Sequence, residues 1–253
     1  MPLARVNGAE IYYDEFGSGE PLVMIHGMLA TGRTHAVLAL QFSNRYRVIV
    51  PDLRGYGRSG PKPRVFPLDF YQQDADDVAA LLQHLGVRDV RVFGVGDGAE
   101  AALLMAVRHP ALVRAVVAVD ATGSFGPELL NVLPQLGTWA DEASTDNLSR
   151  RNEVFREYGE AATLAMWQGW KAAIRGIVAA GGNISLKQAG SIRCPVLVIN
   201  GADDAVNTPA MSQALVSRIP RAELRLVPDH NQLVTNRQIR PFSDPILAWL
   251  AAH

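Results

Sequence analysis

Short apolar runs, separated by glycine, proline and polar residues, recur along the chain. They are rich in Val and Ile and too short for helices, which is typical of strands buried on both faces of a parallel sheet. The runs predict strands at residues 10–16, 21–26, 47–50, 90–93, 113–119, 196–199 and 224–227.

Helical periodicity fills most of the intervals between these strands. It predicts helices at residues 70–85, 99–108, 208–218 and 241–252. Thr208 followed by Pro209 has the composition of a helix start, and Asp69 with Gln72 predicts a capping box. Because strands alternate with helices, we expect an α/β fold with a doubly wound, mostly parallel sheet.

The alternation stops between residues 125 and 188. This segment has no strand-like run, and it contains three of the four tryptophans: Trp139, Trp167 and Trp170. We interpret it as a helical lid inserted over the carboxyl ends of the strands, where such sheets bind ligands. The prediction is therefore one domain, with its core at residues 1–124 and 189–253 and a lid at 125–188.

Composition narrows the classes of function. The chain has 24 Lys and Arg against 25 Asp and Glu, a net charge of −1, which argues against a nucleic-acid binder and gives no support for docking on anionic membranes. Its single cysteine excludes a disulfide framework and a multi-cysteine zinc site. With no long apolar segment or leader-like start, we expect a cytoplasmic protein.

The expected partner is a small-molecule substrate. The sequence has neither a His/Asp cluster with metal-ligand spacing nor a phosphate-binding loop, so we expect no metal and no cofactor. The oligomeric state is left open.

The most informative motif is Gly94-Val95-Gly96-Asp97-Gly98, between a predicted strand and a predicted helix. A strand, a tight turn flanked by small residues and a helix form the nucleophile elbow, Gly-x-Ser-x-Gly. Here Gly96 occupies the nucleophile position, where a side chain that attacks the substrate is expected.

Other motifs follow in order along the chain. His26-Gly27-Met28 follows an early strand, Gly201-Ala202-Asp203-Asp204 follows a late one, and His230 follows the last. Elbow, acid and histidine, each at a strand end, come in the chain order of α/β-hydrolases.

With these motifs, the chain resembles the α/β-hydrolase fold family, and within it the biphenyl hydrolase-like serine esterases of α-amino acid esters. The resemblance runs nearly end to end and is weakest in the predicted lid. Its strongest stretches are residues 26–29, 52–59, 66–70, 94–98, 193–195 and 230–231.

The resemblance implies a role for each matching residue. His230 would be the general base and Asp204 would orient it; the family pattern Gly-x-x-Asp selects Asp204 over Asp203. The backbone N–H groups of Met28 and Asp97 would form the oxyanion hole. The Asp97 side chain would pair with the α-amino group of a substrate.

Three aromatic residues complete the set of candidate substrate-binding residues: His26, Trp139 and Trp167. The position of His26 before Gly27 favours a structural role in supporting the oxyanion loop. The two tryptophans fit the interior of the lid as well as they fit a substrate wall.

We expect an α/β-hydrolase that acts on small carboxylic esters or amides, including amine-bearing ones. The glycine at the nucleophile position leaves three explanations open. Gly96 replaces a serine by design, in order to disable the enzyme. Alternatively the glycine is native, and His230 either activates a water or serves as the base of a lyase, isomerase or water-addition enzyme. In the third explanation the protein only binds a ligand.

Overall fold

In the computed structural model, residues 2–134, 145–231, 241 and 243–253 are described. Their strands pair into one eight-stranded sheet in the order β1-β2-β4-β3-β5-β6-β7-β8. The first two pairings, β1 with β2 and β2 with β4, are antiparallel, and the others are parallel. The strands are β1 (Leu3–Val6), β2 (Ala9–Phe16), β3 (Glu20–Ile25), β4 (Tyr46–Pro51), β5 (Val90–Val95), β6 (Val113–Val119), β7 (Val196–Gly201) and β8 (Ala222–Val227).

Helices connect most of the parallel strands. In the described residues they are α1 (Ala36–Phe42), α2 (Phe70–His84), α3 (Asp97–Arg108), α4 (Leu129–Val132), α5 (Thr145–Tyr158), α6 (Glu160–Ala179), α7 (Pro209–Val216) and α8 (Ser243–Ala252). The predicted doubly wound, mostly parallel sheet is confirmed.

The period of two along each strand divides the core into two layers. In β3, Leu22 and Met24 pack in one layer with α1 and α8, whereas Val23 and Ile25 pack in the other with α2, α3 and α7. Both faces of the central strands are therefore buried, which is why these strands read as continuous apolar runs rather than as an alternation.

Two elements and one cap differ from the prediction. The edge strand β1 and the short helix α1 lie outside the predicted elements, because neither presents a long apolar repeat. Asp69 occupies the N-cap of α2, but its side chain makes no capping hydrogen bond. At the start of α7 the prediction is confirmed, since the Thr208 hydroxyl accepts from the N–H of Met211 and Pro209 is the first helical residue.

Between β6 and β7 the described residues form α4, α5 and α6. That this segment acts as a lid stays a prediction. Among the helices that the structure describes, none is both long enough and apolar enough to cross a membrane.

A buried ion pair holds the loop after β4 against α2. Arg64 Nη1 and Nη2 donate to the two carboxylate oxygens of Asp74 at 2.8 and 2.7 Å, and both side chains are at most 2% exposed. Arg64 also donates to the Arg54 carbonyl, and its guanidinium lies over the rings of Tyr56 and Phe66. The pair thereby fixes the loop relative to the helix that borders the site.

We expect Asp74→Asn to destabilise the protein by about 3–5 kcal/mol, because it leaves the Arg64 charge buried without its partner. That cost corresponds to a drop in Tm of roughly 10 °C for a chain of this size. The control is Glu10→Gln, which removes the exposed ion pair with Arg5 and should shift Tm by less than about 2 °C. Equal shifts for the two variants would contradict the assigned role of the buried pair.

Candidate active site

The turn between β5 and α3 is folded as a nucleophile elbow. Gly96 caps α3 with φ 56° and ψ −121°, a left-handed conformation that favours glycine. Its N–H donates to the Val119 carbonyl at 2.9 Å, and its own carbonyl accepts from Ala99 and Glu100. A Cβ added at Gly96 would meet no atom within 4 Å, so a side chain could project there.

The glycines on either side of Gly96 are required for a different reason. A Cβ at Gly94 would collide with the Gly98 carbonyl, and a Cβ at Gly98 would collide with the carbonyl oxygens of Ile25 and His26. The first turn of α3 therefore lies directly against the end of β3, as the spacing of small residues predicts.

This close approach also brings the candidate oxyanion loop to the elbow. A Cβ at Gly27 would lie 2.8 Å from the Val95 carbonyl oxygen and 3.7 Å from the Asp97 nitrogen. Asp97 is the first residue of α3, so its N–H has no acceptor within the helix. The Asp97 N–H and the segment Gly27–Met28 are thus neighbours at the carboxyl edge of the sheet.

The Asp97 carboxylate accepts two hydrogen bonds from neutral donors. The Tyr71 hydroxyl donates to Oδ1 at 2.9 Å, and Trp170 Nε1 donates to Oδ2 at 3.0 Å. Burial raises the pKa of Asp97 to about 7; the nearby Asp74 adds to this rise, and the two donors and Arg64 oppose it.

The candidate acid Asp204 is buried, whereas its neighbour Asp203 is exposed. Asp204 Oδ1 accepts from the N–H groups of Val206 and Asn207 at 2.8 and 2.9 Å. Its Oδ2 is buried and has no hydrogen-bond partner among the described residues. Burial raises the pKa of this carboxyl despite the two N–H donors.

His230 lies in the loop beside this acid. Its carbonyl accepts from the Asp203 N–H at 3.0 Å, and a Cβ at Gly201 would collide with it. The ring Nδ1 lies 2.7 Å from the Pro228 carbonyl oxygen, which can only accept, so Nδ1 is the donor of this hydrogen bond. The structure thus brings the two loops together without a hydrogen bond between the Asp204 and His230 side chains.

A family profile described as the alpha/beta hydrolase fold matches residues 20–157, more than half of the chain. The chain belongs to the alpha/beta hydrolase fold family. The family agrees with the sheet order and the elbow described above, and the hydrolase names of its relatives support a hydrolase lineage for this chain.

Relatives give a finer comparison. The chain is 28% identical over 235 residues to the serine hydrolase BPHL of Mus musculus. The aligned region covers 89% of this chain and 78% of that protein. This similarity supports the predicted resemblance to the biphenyl hydrolase-like group.

Two solved structures have the same fold. One is described as Est816, an N-acyl homoserine lactone degrading enzyme; it is 25% identical, with a TM-score of 0.74 over 98% of this chain and 100% of that chain. The other, the enol-lactonase from Burkholderia xenovorans LB400, is 23% identical with a TM-score of 0.76, over 99% and 100% of the two chains.

His26 is fully buried in this hydrolase fold, and backbone groups occupy both of its ring nitrogens. Nδ1 donates to the Gly27 carbonyl at 2.8 Å, and Nε2 accepts from the Leu53 N–H at 2.9 Å. Burial lowers the pKa of His26 to about 4, so the ring is neutral near pH 7. These contacts favour the structural role over substrate binding.

The tryptophans of the segment between β6 and β7 differ in what they contact. Trp139 lies outside the described residues. Trp167 and Trp170 stack with their ring centroids 5.2 Å apart, and each is only 8% exposed. Trp170, which is absent from the predicted substrate-binding set, is the tryptophan that contacts Asp97. The sequence signal that could have identified it is its position three residues after Trp167 in a helical segment.

Sequence reasoning also missed Tyr71 and Tyr158. The Tyr158 hydroxyl donates to the Ala30 carbonyl at 2.9 Å and accepts from the Gly57 N–H at 3.2 Å. It therefore fastens the end of α5 to the loops that follow β3 and β4. Groups of His, Cys, Asp or Glu suited to hold a metal are absent from the described residues.

The raised pKa of Asp97 makes stability depend on pH. Between pH 4 and 7 the unfolded chain releases this proton while the folded protein retains it, so the folded state loses stability as pH rises. We expect the unfolding free energy of the wild type, minus that of Asp97→Asn, to fall by about 2 kcal/mol from pH 5 to pH 8. Denaturant titrations at a series of pH values measure this difference.

The control for this measurement is Asp76→Asn made in a His109→Asn background, because His109 Nε2 lies 2.8 Å from Asp76 Oδ1 and an imidazole bonded to Asp76 would add its own pH dependence between pH 5 and 8. The Arg108 hydrogen bond lowers the pKa of Asp76, so this carboxyl titrates below the tested range and its difference should stay flat. A flat difference for Asp97→Asn as well would contradict the assigned burial of that carboxyl.

Proposed function

We propose that the protein hydrolyses small carboxylic esters, with a water molecule at Gly96 in place of the missing nucleophilic side chain. The observation that carries this proposal is the elbow itself. Gly96 has the backbone conformation that a nucleophile needs, and the space into which a side chain would project is open. A polar, open space beside backbone donors can hold an ordered water.

In this mechanism His230 Nε2 takes a proton from the water, and the hydroxide attacks the ester carbonyl carbon. The N–H groups of Met28 and Asp97 stabilise the oxyanion that forms on the carbonyl oxygen. The tetrahedral intermediate then expels the alcohol, which takes the proton back from His230. The hydrogen bond from Nδ1 to the Pro228 carbonyl supports this assignment, because a neutral imidazole that carries its proton on Nδ1 has Nε2 as its basic nitrogen.

Asp204 is assigned the stabilisation of the positively charged His230. Two features support this role: its buried Oδ2 has no partner among the described residues, and its loop is fastened to the His230 backbone through Asp203. An unsatisfied buried carboxylate oxygen is costly, and the Nδ1–H of the imidazolium would relieve that cost by moving from the Pro228 carbonyl to Asp204 Oδ2.

The Asp97 side chain is assigned the recognition of an amino group on the substrate. Arg64 and Asp74 neutralise each other, and the direct donors to Asp97 are neutral. An ionised Asp97 therefore leaves a negative charge at the site that an ammonium group can balance. Amides are a further substrate class of the same chemistry.

Replacing Gly96 by serine tests the lineage and the elbow. We expect Gly96→Ser to raise kcat/KM for p-nitrophenyl acetate by at least ~100-fold, because the loss of a hydrolase nucleophile costs on the order of 10⁶ in turnover. The wild type should show a weak activity that His230→Ala removes, since on the order of 10³-fold catalysis survives without the nucleophile.

Gly96→Ala is the matched control for the serine variant. It has the same backbone strain as the serine variant, about 1–2 kcal/mol. Because its methyl group has no hydroxyl and occupies the space assigned to water, it should be less active than the wild type. No gain for Gly96→Ser, with a wild-type rate that does not depend on His230, would sink the proposal. Turnover of a carbon acid that depends on His230 would favour the acid–base enzyme, and binding without turnover would favour a receptor.

A pair of esters tests amine recognition. L-valine methyl ester and methyl 3-methylbutanoate differ only in the amino group. In the Gly96→Ser background, Asp97→Asn should raise KM for the amino ester roughly 10-fold or more, because it removes one partner of a charge-assisted hydrogen bond. KM for the neutral ester should change by less than about 3-fold. Equal changes for the two esters would remove Asp97 from amine recognition.

A further inference from the structure

Asp97 joins three separate elements. It is the first residue of α3, its Oδ1 is bonded to Tyr71 on α2, and its Oδ2 is bonded to Trp170 on α6. Each carboxylate oxygen thus has its own donor from a different helix. Two directional donors fix both the position and the plane of a carboxylate, whereas one donor leaves it free to rotate.

The Trp170 indole is itself held rigidly. It stacks on Trp167 with an interplanar angle of 10°, and Lys171 Nζ lies 5.7 Å from the centroid of the Trp167 ring. One residue before Trp170, a Cβ at Gly169 would lie 3.2 Å from the Phe66 ring, so α6 packs closely against the segment before α2. The donor is therefore placed by the packing of the whole helix.

The groups that act on the charge of Asp97 are few. Tyr71 and Asp74 face it from α2, Arg64 and Tyr56 from the loop after β4, and Trp170 from α6. Arg64 is engaged with Asp74 through two hydrogen bonds, and the tyrosines and Trp170 are neutral. Trp170 thus orients the carboxylate without cancelling its charge.

We propose that Trp170 is a positioning residue for Asp97, and that α6 thereby sets the selectivity of the site for amine-bearing substrates. The inference rests on the proposed function, because selectivity requires Asp97 to bind the substrate amino group. It makes the segment between β6 and β7 part of the recognition site rather than only a cover for it.

The test measures binding of L-valinamide and 3-methylbutanamide, which differ only in the amino group, by calorimetry. Trp170→Phe keeps an aromatic ring on Trp167 but removes the N–H donor. We expect this variant to weaken the binding of L-valinamide roughly 10-fold, because hydrogen bonds to charged groups are stronger than those between neutral groups. The binding of 3-methylbutanamide should weaken by less than about 2-fold. The variant should also raise the pKa of Asp97 above its wild-type value of about 7, followed by carboxyl carbon NMR.

Trp249→Phe is the matched control, because Trp249 Nε1 donates to a carboxylate oxygen of Glu223, on α8 and β8. It removes the same kind of hydrogen bond and should alter neither affinity nor the Asp97 pKa. If Trp170→Phe weakens the binding of both amides equally, Trp170 is only a packing residue and the inference is overturned. The inference is also overturned if the binding of neither amide weakens.

Asp97→Asn separates the two proposals. If it abolishes the preference for L-valinamide while Trp170→Phe does not, the positioning role fails and amine recognition stands. If Asp97→Asn leaves the preference unchanged, amine recognition fails and the selectivity inference fails with it.

A measurement on the wild type covers the case in which Trp170→Phe does not fold. The indole N–H resonance of Trp170 should shift with pH with a midpoint at the Asp97 pKa of about 7, and that shift should vanish in Asp97→Asn. A Trp170 resonance that stays fixed while carboxyl carbon NMR shows Asp97 titrating would overturn the positioning role.

Discussion

The site depends on one steric constraint, the close approach of the first turn of α3 to the end of β3. Gly98 has no side chain where Ile25 and His26 present their carbonyl oxygens, and Gly94 has none where α3 begins. This approach brings the Asp97 N–H beside Gly27, and it directs the Asp97 side chain between α2 and α6. Larger residues at either glycine would separate the helix from the sheet, and the Gly27–Met28 segment, the elbow and the Asp97 carboxylate would no longer be neighbours.

Gly96 is subject to a different constraint from its two neighbours. Its left-handed φ favours glycine, but the space around its Cβ is open, so a side chain there costs backbone strain and no collision. Nucleophile elbows accept that strain in order to expose a reactive side chain. Here the turn retains the exposed position without the side chain, and a small molecule can enter the space instead.

The core of this fold is predictable from sequence because its signals are local. Buried strands read as apolar runs and Thr208-Pro209 reads as a helix start, whereas β1 and α1 are too short to repeat a pattern. The site is predictable where it follows chain order, as for Gly96. The roles of Tyr71 and Trp170 were not predictable, because only the tertiary packing of α2 and α6 brings both side chains to Asp97. The motifs of the family are also weakest in the segment that carries Trp170.

The charged groups at the site favour an active function over an inert scaffold. Asp97 is ionisable and mostly surrounded by protein with neutral donors, and Asp204 keeps one buried oxygen without a partner among the described residues. Each arrangement destabilises the folded protein by an amount on the order of 1–3 kcal/mol, which an apolar or amide side chain would avoid. A bound ammonium group would offset the first cost, and a protonated His230 the second. In the proposed mechanism the substrate supplies the ammonium group when it binds, and His230 becomes protonated when the substrate reacts. The two unfavourable arrangements, at Asp97 and Asp204, would then be relieved during turnover.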